Sequence, residues 1–195
     1  NAAKHLTPVT LELGGKSPLL IAPSADLNDT AKKLIFGKTL NAGQTCVAPD
    51  YVLCHQDQKQ ALVDKMKHEL ATDYPDGILS SDYTSLANDR QLSRLKSYLD
   101  EASAAGVICK NLMPKGALSK ITPTEKILPE ETIEYDGKLA FHILHQPGDE
   151  LAVMQDEIFG PLLPILTYAD IDEAFDYIQQ RPRPLAMYLF TQKKE

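Results

Sequence analysis

Apolar positions come in short blocks that alternate between strand-like runs and helix-like stripes, the pattern of an α/β fold with a largely parallel sheet. Pro8 to Leu13 and Ser17 to Ile21 are short apolar runs on either side of a Gly14-Gly15 break. Asp26 then predicts an N-cap, opening a helix from Leu27 to Leu40 with Asp29 in its first turn. Leu27, Ala31, Leu34 and Ile35 share one face of it, and Asn41-Ala42-Gly43 ends it. Tyr51 to Cys54 predicts a buried strand. Asp57 and Gln60 have the spacing of a capping box, before a helix that aligns Leu62, Val63, Met66 and Leu70.

The chain turns at Tyr74-Pro75-Asp76-Gly77. Ser85 to Ala105 reads as a long amphipathic helix through Leu92, Leu95 and Leu99, stopped by Gly106 before a short strand from Val107 to Cys109. Asn111 to Gly137 is broken by Pro114, Gly116, Pro123 and Pro129, and reads as a surface excursion. Strands are predicted at Phe141 to Leu144, Leu162 to Thr167 and Leu185 to Phe190. Asp170 and Glu173 cap a helix reaching Gln180.

At 195 residues the chain suffices for one well-buried core. Its net charge of −7 is the opposite of a nucleic-acid-binding surface, which reads as a basic stripe. No run approaches membrane-spanning length, and no signal peptide is visible. Cys46, Cys54 and Cys109 are odd in number and widely spaced, which predicts reduced thiols in a cytoplasmic protein. Both ends are abrupt, with no initiator Met before Asn1, so the chain is expected to be cut from something longer.

Two residues invite chemistry. Cys46 stands in Asn41-Ala42-Gly43-Gln44-Thr45-Cys46, where the glycine gives a bend whose N–H groups can hold a developing oxyanion. Taken alone, it is equally a small buried hydrophobe. Glu12 sits in the apolar run Val9-Thr10-Leu11-Glu12-Leu13, where desolvation would raise its pKa toward that of a general base. The alternative is a strand-edge ion pair, for example with Lys16. His142 and His145, three apart in a strand-like run, face opposite sides and make poor metal partners, so no metal site is read. His5, His55 and His68 read as surface residues, and Cys54 and Cys109 as core thiols.

Glu12-Leu13-Gly14-Gly15-Lys16-Ser17-Pro18, then Gly43-Gln44-Thr45-Cys46, then Glu157-Ile158-Phe159-Gly160-Pro161 form an ordered series that resembles the aldehyde dehydrogenase superfamily. Cys46-Val47-Ala48-Pro49-Asp50-Tyr51-Val52-Leu53 and Arg181-Pro182-Arg183-Pro184-Leu185-Ala186-Met187-Tyr188-Leu189-Phe190 are similar to its class 3 and coniferyl aldehyde dehydrogenase branch. That branch acts on aromatic and medium- or long-chain aliphatic aldehydes.

The resemblance implies a three-layer catalytic domain with a largely parallel sheet flanked by helices. It implies that residues 1–195 are part of that domain, without the N-terminal cofactor-binding domain and the C-terminal segment. Cys46 is then the nucleophile that forms a thiohemiacetal and a thioester, and Glu12 activates the hydrolytic water. Leu13, Gly14, Glu157 and Phe159 fall at positions that hold the nicotinamide and its ribose, in NAD or NADP. The parent enzyme is expected to be a homodimer or higher homo-oligomer, and the fragment alone to be inactive as a dehydrogenase. A CoA-acylating or reductive member would need no water-activating base. A non-catalytic interaction module is the remaining alternative.

Overall fold

The computed structural model describes residues 2–11, 13–114 and 134–193. Its sheet is built from β1 (Pro18–Ile21), β2 (Tyr51–His55), β3 (Ile108–Asn111), β6 (His142–His145), β7 (Leu162–Tyr168) and β8 (Tyr188–Phe190), in the order β3-β6-β7-β2-β1-β8. All neighbours pair parallel except β3 with β6. β4 (Glu134–Tyr135) and β5 (Lys138–Leu139) form a separate small hairpin. The helices are α1 (Leu27–Thr39), α2 (Lys59–Asp73), α3 (Asp89–Ala104), α4 (Ala152–Gln155) and α5 (Ile171–Gln179).

Strands buried on both faces read as continuous apolar runs, because helices cover both sides of a parallel sheet. β1 is buried throughout, and its alternate side chains serve two cores. Leu19 and Ile21 pack with Leu34 and Ile35 of α1 and Leu62, Met66 and Leu70 of α2. Leu20 points into the other cluster, with Leu95 and Leu99 of α3 and Ala174 of α5. This is the expected three-layer α/β arrangement.

Asp26 caps α1 by accepting from the N–H of Asn28, and Asp170 with Glu173 completes the predicted capping box on α5. The box predicted at Asp57 does not form. A 3₁₀ turn at Gln56–Gln58 runs straight into α2, the His55 ring accepts from Asp57 N–H, and Gln60 reaches Asp64 instead. α3 begins at Asp89 rather than Ser85, because the Asn88 side chain accepts from Gln91 N–H and caps it there.

The larger departure lies at the start. Residues 8–11 and 13 form no strand, and Val9, Leu11 and Leu13 are 66%, 75% and 71% exposed. Apolar character alone does not make a strand; a partner ladder must satisfy the backbone, and among the described residues none is paired there. The last strand is also shorter than its apolar run, starting at Tyr188 rather than Leu185. The excursion predicted from Asn111 to Gly137 ends in the β4–β5 hairpin, turned by Asp136 (φ 48°) and Gly137 (φ 73°); residues 115–133 of it lie outside the described residues.

Candidate active site

α1 delivers the thiol. Its end runs into a 3₁₀ turn, Leu40–Gly43, in which Asn41 (φ 50°), Ala42 (φ 54°) and Gly43 (φ 74°) adopt left-handed backbone. Such a conformation costs a non-glycine residue roughly 1–2 kcal/mol and persists only where the surroundings over-determine it. Here Gln44 supplies much of the restraint. Its amide N–H donates to the carbonyls of Asn41 (3.0 Å) and Ser85 (3.1 Å), and its carbonyl accepts from Ala87 N–H (2.8 Å). A Cβ on Gly43 would lie 2.4 Å from the Gly160 carbonyl oxygen, so the bend admits glycine alone.

Beyond the bend, Ala48 N–H donates to Thr45 carbonyl (3.1 Å) in a turn that leaves Cys46 and Val47 exposed. Tyr188 of β8 pins this turn by donating its hydroxyl to Val47 carbonyl (2.6 Å). The other thiols differ in kind. Cys54 is buried in β2 and burial pushes it up to about 12; Cys109 is half-buried and also raised by burial. Cys46 is thus the accessible thiol of the three.

The Gly14-Gly15 segment and the Glu157 segment meet. A Cβ on Gly14 would stand 2.2 Å from Glu157 Oε2, so this glycine is the cradle in which the carboxylate rests. Beside it opens a cavity of about 370 Å³ lined by Gly14, Gly15, Lys16, Gln155, Glu157 and Arg183, among others. Glu157 is half-buried, Phe159 is 39% exposed with left-handed backbone (φ 48°), and Leu13 lies open to solvent. A reachable carboxylate with cationic neighbours suits a ligand bearing both hydroxyls and anionic groups.

Two side chains hold the Glu157 segment from opposite sides. Arg94 of α3 donates to the carbonyls of Glu157 (3.3 Å) and Ile158 (2.6 Å). Asp50, four residues beyond Cys46 and 2% exposed, accepts Ile158 N–H (3.1 Å) through Oδ1. Its Oδ2 pairs with Lys16, whose ammonium also donates to the carbonyls of Val153 and Asp156 (2.8 Å each). Burial lowers the Lys16 pKa against the pull of Asp50. Lys38, wholly buried on α1, places Nζ 3.8 Å from Asp50 Oδ1.

The structure therefore joins the Gly14, Cys46 and Glu157 segments. Gly14 meets Glu157, and Gly43 meets Gly160. Glu12 lies outside the described residues. Lys16, offered above as its ion-pair partner, instead spends its ammonium on Asp50. Leu11 and Leu13 are exposed, so the buried strand invoked to desolvate Glu12 is absent from its described neighbours. Among the described residues no group of three or more His, Cys, Asp or Glu could hold a metal ion. Arg94 and Lys38 stand in none of the motifs quoted above, and Gln44, Asp50 and Tyr188 stand within them without a role read for any. Only a basic residue within an amphipathic helix and an acid directly before a buried strand hinted at two of them.

Residues 1–195 match the model of the aldehyde dehydrogenase family. The chain is 42% identical over 193 residues to a probable coniferyl aldehyde dehydrogenase of Pseudomonas aeruginosa, covering 99% of this chain and 37% of that protein. It is 39% identical to the mouse "aldehyde dehydrogenase, dimeric NADP-preferring", covering 97% and 37%. Among solved structures, it superposes on the substrate-bound state of Staphylococcus aureus AldH with a TM-score of 0.79 and 36% identity, covering 99% of this chain and 38% of that one. The chain thus spans a little over a third of these relatives. Matched by the family model over its whole length, this chain belongs to the aldehyde dehydrogenase family.

Proposed function

We propose that the enzyme carrying this chain oxidises an aldehyde to its carboxylic acid with NAD or NADP, and that residues 1–195 are part of its catalytic domain. The observation that carries the reading is the exposed Cys46 on a bend held by Gln44, Gly43 and Tyr188. Cys46 thiolate attacks the aldehyde carbon, and the carbonyl oxygen becomes the oxyanion of a thiohemiacetal. Main-chain N–H of Cys46 is assigned the stabilisation of that charge. NAD(P), when bound, supplies the acceptor for the hydride that leaves this carbon, and a thioester remains on Cys46. Glu12 takes a proton from water, the resulting hydroxide attacks the thioester, and the carboxylic acid departs with the thiol restored.

Glu157 and Gly14 are assigned to the cofactor, with the carboxylate accepting from ribose hydroxyls and Gly14 giving it room. Leu13 and Phe159, both exposed beside these residues in sequence, are assigned to the nicotinamide. The aldehyde is proposed to be aromatic, coniferyl aldehyde included, or medium- to long-chain aliphatic, supported by similarity to a probable coniferyl aldehyde dehydrogenase. A homodimer or higher oligomer is proposed because a relative carries the word dimeric in its name. A cytoplasmic setting is proposed on the three free thiols. Among the described residues no helix is long and apolar enough to cross a membrane.

Replacing Cys46 by Ala in the whole enzyme should abolish aldehyde-dependent cofactor reduction. Retained turnover would sink the assignment. Because the chain spans only 37% of its relative, most cofactor contacts are proposed to come from elsewhere in the enzyme, and calorimetric titration of residues 1–195 alone with NAD should give no measurable heat of binding. Micromolar binding would overturn that part.

A further inference from the structure

Asp50 is a buried carboxylate on which all three signature segments converge. Its N–H donates to Ser17 carbonyl (2.8 Å), and its carboxylate takes Lys16 from the glycine segment and the Ile158 N–H from the Glu157 segment. It stands four residues beyond Cys46, so the thiol loop is the third segment. Lys38 completes the cluster from α1, and its backbone carbonyl lies 3.1 Å from where a Gly43 Cβ would be.

The charge balance is unusual. Two ammonium groups share one buried carboxylate, and among the described residues Lys38 Nζ has no hydrogen-bond partner. A buried, unbonded ammonium is a burden on folding, and an apolar side chain of similar volume would fill α1 at lower cost. Fold stability therefore does not account for a lysine at this position. A second carboxylate does lie within its field: Glu157.

We propose that Lys38, Asp50 and Lys16 form a positioning network that fixes the Glu157 carboxylate relative to the Cys46 loop, so that cofactor binding and nucleophile placement are set together. The proposal rests on the assignment of Glu157 to the cofactor. Lys38 is a positioning residue; it is buried and touches neither substrate nor cofactor. The charged groups that act on it are Asp50 before β2, 3.8 Å away, and at longer range Lys16 and Glu157. Burial brings Lys38 down to about 8 against the attraction of Asp50 and Glu157. Its charge is consequently lost within the working range of an enzyme, and the hold on Glu157 weakens as pH rises.

The test uses the whole enzyme with Lys38→Met and Asp50→Asn, measuring cofactor KM and kcat across pH together with iodoacetamide alkylation of Cys46 without cofactor. Lys38→Met should raise cofactor KM about fivefold or more below pH 8, in the usual range for coupled sites, and should flatten its rise above pH 8. Asp50→Asn should raise cofactor KM and also change the alkylation rate, since it lies nearer the loop. If the unmodified enzyme reduces no cofactor with any aldehyde, the functional reading fails. If it is active but Lys38→Met leaves cofactor KM within twofold and its pH profile unchanged, the network is refuted. Should Asp50→Asn not fold, Lys38→Met decides. Should Lys38→Met itself not fold, the lysine serves the fold and the proposal is overturned.

Discussion

Removing the buried ammonium of Lys38 has a consequence for stability whose sign and size follow from its surroundings. Lys38 is wholly buried, and burial takes its pKa from 10.5 to about 8 despite the attraction of Asp50. Between these values the unfolded chain holds a proton that the folded chain has released. Stability then rises with pH, because the unfolded state binds more protons. Below the folded value the whole cost of keeping the charge buried is present, about 3 kcal/mol for a shift of this size. Above 10.5 both states are neutral and the cost is gone.

Integrated from about pH 7 to about pH 9, the gain is roughly 1 kcal/mol. Lys38→Met removes this gain. The difference between the two proteins reports Lys38 together with its coupling to Lys16 and Asp50, while Cys54 and the buried tyrosines cancel. Urea unfolding at the two pH values should therefore show the wild-type midpoint moving upward relative to the variant by about 0.5 M, for an m-value of about 2 kcal/mol/M. Midpoints that move in parallel would mean that Lys38 is not a buried cation that discharges in this range, and the charge argument would fall.

Gly43→Ala places a methyl group 2.4 Å from a backbone oxygen at a φ of 74°, where no flexible side chain can give way. It should cost about 2 kcal/mol or more and lower Tm by about 4–8 °C, as scanning calorimetry would show; an unchanged Tm would refute the close approach. Gly14→Ala meets only the mobile end of Glu157, so it should leave Tm nearly unchanged while raising the cofactor KM of the whole enzyme. Equal Tm and equal KM would detach Gly14 from the carboxylate. Timed iodoacetamide labelling with peptide mass spectrometry should find Cys46 modified at least about tenfold faster than Cys54, which is buried and pushed up to about 12. Comparable slow rates would favour an inert Cys46.

The α/β layering was legible because a parallel sheet covered on both faces writes itself as short apolar runs separated by striped helices, as at Leu19 to Ile21 and Leu62 to Leu70. The caps at Asp26 and Asp170 were legible for a similar reason, since the relevant bonds are local. Where partners come from afar, sequence misleads. The run around Glu12 looked like a strand, yet Val9, Leu11 and Leu13 are exposed and form no ladder. Asp57 had capping spacing, but His55 and a 3₁₀ turn had already satisfied the helix start. The Asp136-Gly137 turn of the hairpin carried a recognisable signal, hidden by the proline-rich stretch before it.

The site divides in the same way. Cys46, Gly14 and Glu157 stand in contiguous motifs and could be named from them. The groups that set their geometry could not. Asp50 meets Ile158 across 108 residues, Arg94 meets that same residue's carbonyl across 64, and Tyr188 reaches Val47 across 141. Such pairings are products of topology; the motifs around Asp50 and Tyr188 contain these residues but do not name their partners.

In the proposed cycle Cys46 carries the acyl group and Glu12 releases it. A single mixing experiment on the whole enzyme with Glu12→Gln tests it most directly, following reduced cofactor in the first turnover and then the mass of the Cys46 peptide. The expected result is a burst of about one reduced cofactor per site, slow turnover afterwards, and a peptide heavier by the acyl group at Cys46. Steady-state turnover at the wild-type rate with an unmodified Cys46 peptide would contradict it.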